Sequence, residues 1–369
     1  MNDSIKNGWL TTGPNVENFE SLLSDYLGVK NVVALNSCTA SLHLALKANN
    51  FLPGDKFIVP TYTFVASVEV GEYLGMKPLL VDCDEDFNLD LNQVSKILKT
   101  EKNVKAIIPV HFAGKPVDME KLKIIVKDYN LFIIEDAAHA LETYSNIGKV
   151  GKTSHAVAFS FYANKNITTF GEGGALATDD DAFAKKIRKL SLHGMSKDGW
   201  KRFKIGNKWQ YDVSELGYKY NMTEIASSYG IWQMGFLEKW YNRRTFIFEK
   251  YCHNLKKIDG ILCPLDSTNP EKNGYHLFII KIIPKMWRIK RDELIELINK
   301  KGIGTSVHYK PIHMHSYYKK KYSYSDKDFP NSELFYKTVI SLPFYPALKD
   351  DELDYIINTI HELWLKYKN

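Results

Sequence analysis

The sequence predicts an α/β protein: a large domain with a mostly parallel seven-stranded sheet between helices, and a smaller C-terminal α+β domain. Short apolar runs alternate with helix-period segments from about residue 30 to residue 180, which is typical of a parallel sheet covered by helices on both faces. Beyond about residue 240 this alternation ends and a second pattern begins. The length of 369 residues suits two domains, since domains of roughly 150 residues are common.

Seven apolar runs are expected to form the strands of the large sheet: Asn31–Leu35, Lys56–Val59, Pro78–Val81, Val104–Val110, Leu131–Ile134, Ala156–Phe161 and Ala175–Thr178. Apolar residues recur at helical spacing between several of them, which predicts helices at Ala40–Ala48, Val65–Leu74, Leu91–Leu98 and Met119–Tyr129. Asp90 and Asp118 come directly before two of these helices, where N-cap residues are expected.

The predicted domain division places residues 1–240 in the large domain and residues 241–369 in the small one. The small domain is expected to contain a strand at Tyr275–Ile283, a helix at Arg291–Lys301, a strand at Thr305–Tyr309 and a final helix from about Asp350 to Lys366. Between the two patterns, Gly194–Tyr220 has little periodicity. An irregular segment of that length is usually functional or at an interface.

Composition and charge exclude several classes of protein. The net charge is +6 and is spread along the chain without the basic block of a nucleic-acid-binding protein. The four cysteines are far apart and predict neither a disulfide framework nor a zinc site. No signal-peptide core and no apolar run of about 18 residues occurs, so we expect a soluble cytoplasmic protein with no membrane partner.

Polar residues that could carry chemistry follow three of the predicted strands. Asn36–Thr39 precede a helix and could hold a phosphate, or could simply cap that helix. Asp136 could be a metal ligand, a helix cap or the counter-charge of a protonated heterocycle, and Lys165 viewed alone is most simply solvent-facing, as most lysines are. Ligands bind beyond the carboxyl ends of parallel strands, which is where these three polar segments are expected to lie. Together they provide what a pyridoxal 5'-phosphate (PLP) site requires: donors for the phosphate, a carboxylate for the ring nitrogen and an amine for the aldehyde.

The order and spacing of eight motifs resemble the DegT/DnrJ/EryC1/StrS family of PLP-dependent sugar aminotransferases, which has the fold type I architecture of aspartate aminotransferase. The motifs cover essentially the whole chain: Gly8–Pro14, Asn36–His43, Pro60–Ser67, Glu135–Ala140, Phe159–Asn166, Gly171–Gly174, Gly217–Glu224 and His308–His313. Two positions depart from the pattern, since many relatives have His at Tyr162 and Trp or Tyr at Phe64. A dehydratase branch carries His where this chain has Lys165, so the resemblance favours amino transfer.

The resemblance implies a role for each matching residue. Lys165 would form the Schiff base with the cofactor, Asp136 would pair with the pyridine nitrogen, and His139 would lie near the phenolic oxygen. Phe64 would cover the ring, while Cys38, Thr39 and Ser160 would hold the phosphate. Asn221 would reach the phosphate of the neighbouring subunit's cofactor, which implies a homodimer with shared active sites. Thr12, His308 and His313 would contact the substrate.

The resemblance also implies a reaction, in which glutamate gives its amino group to C4 of a nucleotide-linked 4-keto-6-deoxy sugar for surface-glycan or other deoxyaminosugar biosynthesis. PLP would become pyridoxamine phosphate midway. The C4 position depends on His193–Asp198 and Gly217–Glu224 alone. The alternatives are a C3-aminotransferase for 3-keto sugars, an aminotransferase for a cyclitol or aromatic precursor, and a non-catalytic sugar-nucleotide-binding protein. No metal is expected, because His313 and His315 lack a third nearby ligand.

Overall fold

The computed structural model describes residues 5–6, 8–195 and 212–369. Its largest sheet has seven strands in the order β1-β9-β8-β5-β4-β2-β3. These strands are β1 (Asn31–Leu35), β2 (Lys56–Pro60), β3 (Lys77–Val81), β4 (Val104–Ile107), β5 (Phe132–Asp136), β8 (Ala156–Ser160) and β9 (Gly174–Thr178). Only β9 runs antiparallel to its neighbours, which are β1 and β8. The mostly parallel sheet predicted from the seven apolar runs is therefore confirmed.

The strands are mainly apolar because helices cover both faces of the sheet. In β2, for example, Phe57, Ile58 and Val59 are all fully buried. The helices of this part of the chain are α1 (Pro14–Leu27), α2 (Cys38–Ala48), α3 (Ala66–Glu72), α4 (Leu91–Thr100), α5 (Met119–Val126), α6 (Asp181–Leu190), α7 (Glu224–Met234) and α8 (Leu237–Leu255). A short hairpin, β6 (Tyr144–Ser145) and β7 (Gly148–Lys149), lies between β5 and β8.

Side-chain caps fix where several of these helices begin. Asp90 accepts hydrogen bonds from the backbone of Asn92 and Gln93, and Asp118 accepts one from Lys121. Both caps were predicted from the sequence. Ser37 caps α2 in the same way, accepting from the backbone nitrogen of Ala40, so α2 begins directly after β1.

The C-terminal part of the chain forms a second sheet, in the order β10-β11-β12. Its strands are β10 (Ile261–Leu262), β11 (Phe278–Ile282) and β12 (Val339–Leu342), and its helices are α9 (Arg291–Lys300), α10 (Ser316–Tyr322), α11 (Pro330–Thr338) and α12 (Asp350–Tyr367). This sheet has its own apolar core, to which α8 also contributes Ile247 and Tyr251. The domain boundary predicted between residues 240 and 241 falls within α8, and the division stays a prediction.

One predicted strand is wrong. Thr305–Tyr309 forms only an isolated bridge, in which Ser306 and Ser341 exchange backbone hydrogen bonds. The chain then leaves the sheet, because the carbonyl of His308 accepts from the hydroxyl of Tyr62 in the large domain, 2.8 Å away. The strand that pairs with β11 is β12, which the sequence analysis did not identify. Among the described residues, no helix is long and apolar enough to cross a membrane.

Candidate active site

A cavity of about 480 Å³ lies at the carboxyl ends of the large sheet's parallel strands. Most of the residues predicted for the cofactor site line it: Cys38, Thr39, Phe64, Asp136, His139, Ser160 and Lys165. His308, predicted to contact the substrate, lines it too. They come from segments that are far apart in sequence, among them the start of α2, the end of β5 and the end of β8. Tyr162, Glu172 and Tyr309 also line the cavity, and the sequence analysis assigned none of them a role there. We call this space the cofactor cavity.

The N-terminus of α2 opens into one end of the cofactor cavity. Cys38 and Thr39 form its first turn, where backbone N–H groups have no partner within the helix. Together with the positive end of the helix dipole, such groups suit a phosphate. Gly174 allows β9 to approach this turn, since a Cβ at Gly174 would lie 2.4 Å from the backbone nitrogen of Cys38.

Asp136 ends β5 and is only 5% exposed. One carboxylate oxygen accepts from the hydroxyl of Ser67 at 2.7 Å, and the other accepts from the backbone nitrogen of Ala138 at 3.1 Å. These contacts hold the carboxylate at the cavity wall, where it can pair with a cationic ring nitrogen. A buried carboxylate without such a cation would be costly. The sequence analysis missed Ser67, which lies in α3 far from Asp136 in the sequence.

Lys165 follows β8 and lines the same cavity. Burial lowers the pKa of its amine, while the carboxylate of Asp136 and the Cys38 thiol oppose that shift. Within the described part of the chain, Nζ of Lys165 makes no hydrogen bond or ion pair. An amine with a lowered pKa and no fixed partner can act as a nucleophile and move protons.

His139 faces Tyr309 across the cavity wall. Its Nδ1 accepts from the backbone nitrogen of Ala113 at 3.2 Å, and its Nε2 lies 3.2 Å from Oη of Tyr309. Burial, followed by the nearby charge of Lys165, holds the pKa of His139 well below its usual range. The ring of His276 packs against that of His139, with centroids 4.3 Å apart and the ring planes tilted by 31°.

A second cavity of about 940 Å³ adjoins the first at Asn164, Lys165 and His308, which line both. Its wall carries Lys239, Trp240, Arg243 and Arg244 of α8. It also carries small-domain hydroxyls and aromatic rings: Thr305, Ser306, Ser341, Phe344 and Tyr345. None of the described residues that line it is acidic. We call this space the substrate cavity.

A buried hydrogen-bond network of polar side chains supports the wall between the two cavities. Arg244 pairs with Glu142, and both side chains are 2% exposed. Asn166 donates to Glu142 at 2.7 Å and to the carbonyl of Gly274 at 2.7 Å, which leaves its oxygen to accept from His276 at 3.0 Å. This network therefore holds the ring of His276, which packs against His139. Because its members are distant in sequence, no local pattern identified them.

Three predicted site residues lie outside both cavities. Asn221 donates to the hydroxyl of Thr12 at 2.8 Å, and that hydroxyl donates to the carbonyl of Met222. His313 is fully buried, with Nδ1 2.8 Å from Oγ1 of Thr61 and its ring stacked on Phe329. These contacts assign His313 a packing role. Of the predicted segment His193–Asp198, residues 196–198 lie outside the described part of the chain.

The donor set fits three groups of PLP: the phosphate, the ring nitrogen and the aldehyde. A helix N-terminus with hydroxyls suits the phosphate, the buried carboxylate of Asp136 suits the protonated ring nitrogen, and the amine of Lys165 suits the aldehyde. No cluster of three metal-ligating side chains occurs among the described residues. Fold and site together define a PLP-dependent enzyme of the aminotransferase type.

Comparison with known proteins identifies the family. Residues 1–361 match the DegT/DnrJ/EryC1/StrS aminotransferase family, and the chain belongs to it. The spore coat polysaccharide biosynthesis protein SpsC of Bacillus subtilis is 38% identical, with 98% of this chain and 93% of SpsC covered. The chain is therefore a PLP-dependent sugar aminotransferase, as the resemblance implied, and the alternative of a non-catalytic sugar-nucleotide-binding protein is not supported.

Solved structures agree with this assignment. Spr1654 of Streptococcus pneumoniae in its PMP form has a TM-score of 0.90 and 32% identity, covering 99% of this chain and 95% of that one. The same protein in its PLP form also has a TM-score of 0.90. PseC of Helicobacter pylori, an aminotransferase involved in the biosynthesis of pseudoaminic acid, has a TM-score of 0.90 at 28% identity, covering 99% and 95% of the two chains.

Proposed function

We propose that this enzyme transfers an amino group from glutamate to C4 of a nucleotide-linked 4-keto-6-deoxy sugar. The observation that carries the proposal is the substrate cavity, which adjoins Lys165 and has no acidic residue in its described lining. Of its cationic side chains, Arg243 and Arg244 pair with Asp350 and Glu142, which lie outside the lining. An anionic diphosphate would be favoured beside Lys239. Hydroxyl and amide groups suit a sugar, and the rings of Trp240 and Phe344 suit a nucleobase.

We propose for the cofactor-site residues the roles that the resemblance implies, and their positions around the cofactor cavity support these roles. Bound PLP supplies an electron sink and a carbon that carries the amino group between the two substrates. Asp136 keeps the ring nitrogen protonated. Nζ of Lys165 removes the α-proton of the amino donor and returns a proton to the acceptor. Cys38, Thr39 and Ser160 bind the phosphate, and Phe64 covers the ring at the mouth of the cavity, where its side chain is exposed.

The choice of C4 over C3 depends on the resemblance around His193–Asp198 and Gly217–Glu224. A C3-aminotransferase that acts on a 3-keto sugar is the second candidate, since the substrate cavity suits either ketone. The names of two similar proteins, SpsC and PseC, refer to polysaccharide and pseudoaminic acid biosynthesis. They support a role in surface-glycan or deoxyaminosugar biosynthesis, for which a cytoplasmic location is part of the proposal.

A substrate panel tests this proposal. The enzyme is incubated with glutamate and 4-keto-6-deoxy or 3-keto sugars linked to UDP, GDP or dTDP, and NMR locates the new amine. We expect amination at C4 of a nucleotide-linked sugar and none with the free sugar, while a Lys165→Ala variant is inactive throughout. An amine at C3, or equal turnover of sugars that lack the nucleotide, would contradict the proposed substrate but not the cofactor assignment.

A further inference from the structure

The hydrogen bonding of His139 determines which group Tyr309 can reach. Nδ1 of His139 faces the backbone N–H of Ala113, so it accepts a hydrogen bond and carries no hydrogen. Burial, with the nearby Lys165, His276 and His308, lowers the pKa of His139, so its ring is neutral. The single N–H hydrogen of the ring therefore lies on Nε2.

That hydrogen points at Tyr309. Nε2 of His139 lies 3.2 Å from Oη of Tyr309, and His139 must be the donor. The reverse assignment would put a hydrogen on Nδ1 and turn it toward the N–H of Ala113, so that two donors would face each other. Tyr309 is thus the acceptor in this contact, and its own hydroxyl hydrogen is free to donate elsewhere.

The hydroxyl hydrogen of Tyr309 has no acceptor among the described residues. Within the described residues, the hydroxyl of Tyr309 makes no hydrogen bond other than the one from His139, and the ring lines the cofactor cavity. Burial and then the negative charge of Asp136 raise the pKa of Tyr309, so the phenol stays protonated and remains a donor. A donor without a protein acceptor in a largely buried wall points to a bound ligand.

The assignment of the cofactor cavity leaves one group of PLP without a partner. In the proposed assignment, the N-terminus of α2 and Ser160 bind the phosphate. Asp136 pairs with the ring nitrogen, and Lys165 forms the Schiff base with the aldehyde. The phenolic oxygen, an acceptor that carries negative charge, has no donor in this scheme. His139 cannot supply one, because its only hydrogen is donated to Tyr309.

We infer that Tyr309 donates its hydroxyl hydrogen to the phenolic oxygen of bound PLP, and that His139 acts through Tyr309 as a positioning residue. This inference rests on the proposed assignment of Lys165, Asp136 and the α2 N-terminus to the cofactor. Asn166 and His276 help to hold His139 in place, because Asn166 accepts a hydrogen bond from the imidazole of His276, which packs against His139. The small domain thereby supplies a direct cofactor contact.

The experiment measures PLP binding and its absorption spectrum, neither of which requires a substrate. Tyr309→Phe removes the donor and keeps the ring. We expect PLP to bind about tenfold more weakly, because hydrogen bonds to charged groups are among the stronger ones. We also expect the pH midpoint of the visible absorption change to rise, because a donor favours the unprotonated phenolic oxygen. His139→Gln can accept from Ala113 and donate to Tyr309, and should keep both properties near those of the unmodified chain.

A matched control is Tyr251→Phe. It removes the hydroxyl of a fully buried tyrosine that donates to the carbonyl of Pro343, away from the cofactor cavity, and should leave both readouts unchanged. Unchanged PLP affinity and an unchanged midpoint in folded Tyr309→Phe would overturn the inference. So would a midpoint that moves with His139→Gln but not with Tyr309→Phe. Borohydride labelling of Lys165 in the same variants separates this failure from failure of the cofactor assignment.

Discussion

The buried ion pair of Arg244 and Glu142 illustrates how single residues hold the active-site wall. Neither side chain reaches solvent, and Nε of Arg244 has no hydrogen-bond partner among the described residues. Burial raises the pKa of Glu142, and the charge of Arg244 opposes that shift. An unpaired charge in this position is far more costly than an unpaired charge at the surface.

Glu142→Gln should therefore destabilise the protein by about 3 kcal/mol, because it leaves Arg244 buried without a counter-charge. Denaturant unfolding at constant PLP saturation measures the loss. The matched control is Asp350→Asn, which breaks the pair between Arg243 and a carboxylate that is 62% exposed. That change should cost less than about 1 kcal/mol. Equal losses for the two variants would show that burial of the Arg244 pair contributes nothing.

His43 gives the protein a pH-dependent stability outside the active site. Its ring packs against Tyr73, Tyr218 and Tyr220, and burial lowers its pKa to about 4. The unfolded chain binds this proton near pH 6.5 and the folded chain does not, so stability falls as the pH decreases from 6.5 toward 4.

Thermal unfolding at pH 7, 6 and 5 tests this linkage. His43→Gln should reduce the stability at pH 7, where the neutral imidazole packs well. Between pH 7 and pH 5 the variant should lose less stability than the unmodified protein does. His253→Gln, at an exposed histidine of α8, is the control and should follow the unmodified protein. A His43→Gln curve parallel to that of the unmodified protein would contradict the assigned role.

At the scale of elements, the approach of β9 to the start of α2 sets the phosphate end of the cofactor cavity. Gly174→Ala would place a methyl group 2.3 to 2.5 Å from backbone atoms of Ser37 and Cys38, so α2 would have to shift. We expect PLP affinity to fall at least tenfold, because the backbone N–H groups of this turn would move away from the phosphate. Equilibrium titration with PLP measures the change.

Gly235→Ala is the matched control for that variant. A Cβ there would meet only the carbonyl oxygen of Trp232, at an ordinary 3.4 Å. PLP binding should remain that of the unmodified chain. If Gly174→Ala also binds PLP normally, the α2 N-terminus does not hold the phosphate and that part of the site assignment fails.

The elements that the sequence predicted well are those with a strong local pattern. The seven strands of the large sheet are mainly apolar runs, and Asp90 and Asp118 cap helices as expected. The strand predicted at Thr305–Tyr309 failed because contacts from the large domain, such as the Tyr62 hydroxyl on His308, replace the ladder. The place of Tyr309 in the cofactor cavity was not predicted, because only folding brings Tyr309 to His139, 170 positions away in sequence.

At the scale of the whole molecule, we expect a second copy of the chain to complete each site. Asn221 and Thr12 hydrogen-bond to each other outside both cavities, so neither serves the site of its own chain in this structure. The family resemblance assigns Asn221 to the neighbouring subunit's phosphate. A closed two-fold dimer would place each such residue at its partner's site.

Subunit mixing tests that expectation. Lys165→Ala and Asn221→Ala chains should each be inactive or nearly so alone. If the sites are shared, mixed dimers contain one intact site and should recover part of the activity, up to about a quarter of that of the unmodified enzyme at equal mixing. Mass spectrometry of differently tagged chains verifies the exchange. No recovery on verified exchange, or a strict monomer in sedimentation, would contradict the shared site.

The central claim is that Lys165 carries the cofactor, since every proposed role is defined relative to it. Borohydride reduction of the PLP-loaded protein, followed by peptide mapping, tests this claim most directly. The account predicts one pyridoxyl group per chain, on the peptide that contains Lys165, and loss of both label and turnover in Lys165→Ala. A label on another lysine, or a Lys165→Ala variant with normal turnover, would contradict it.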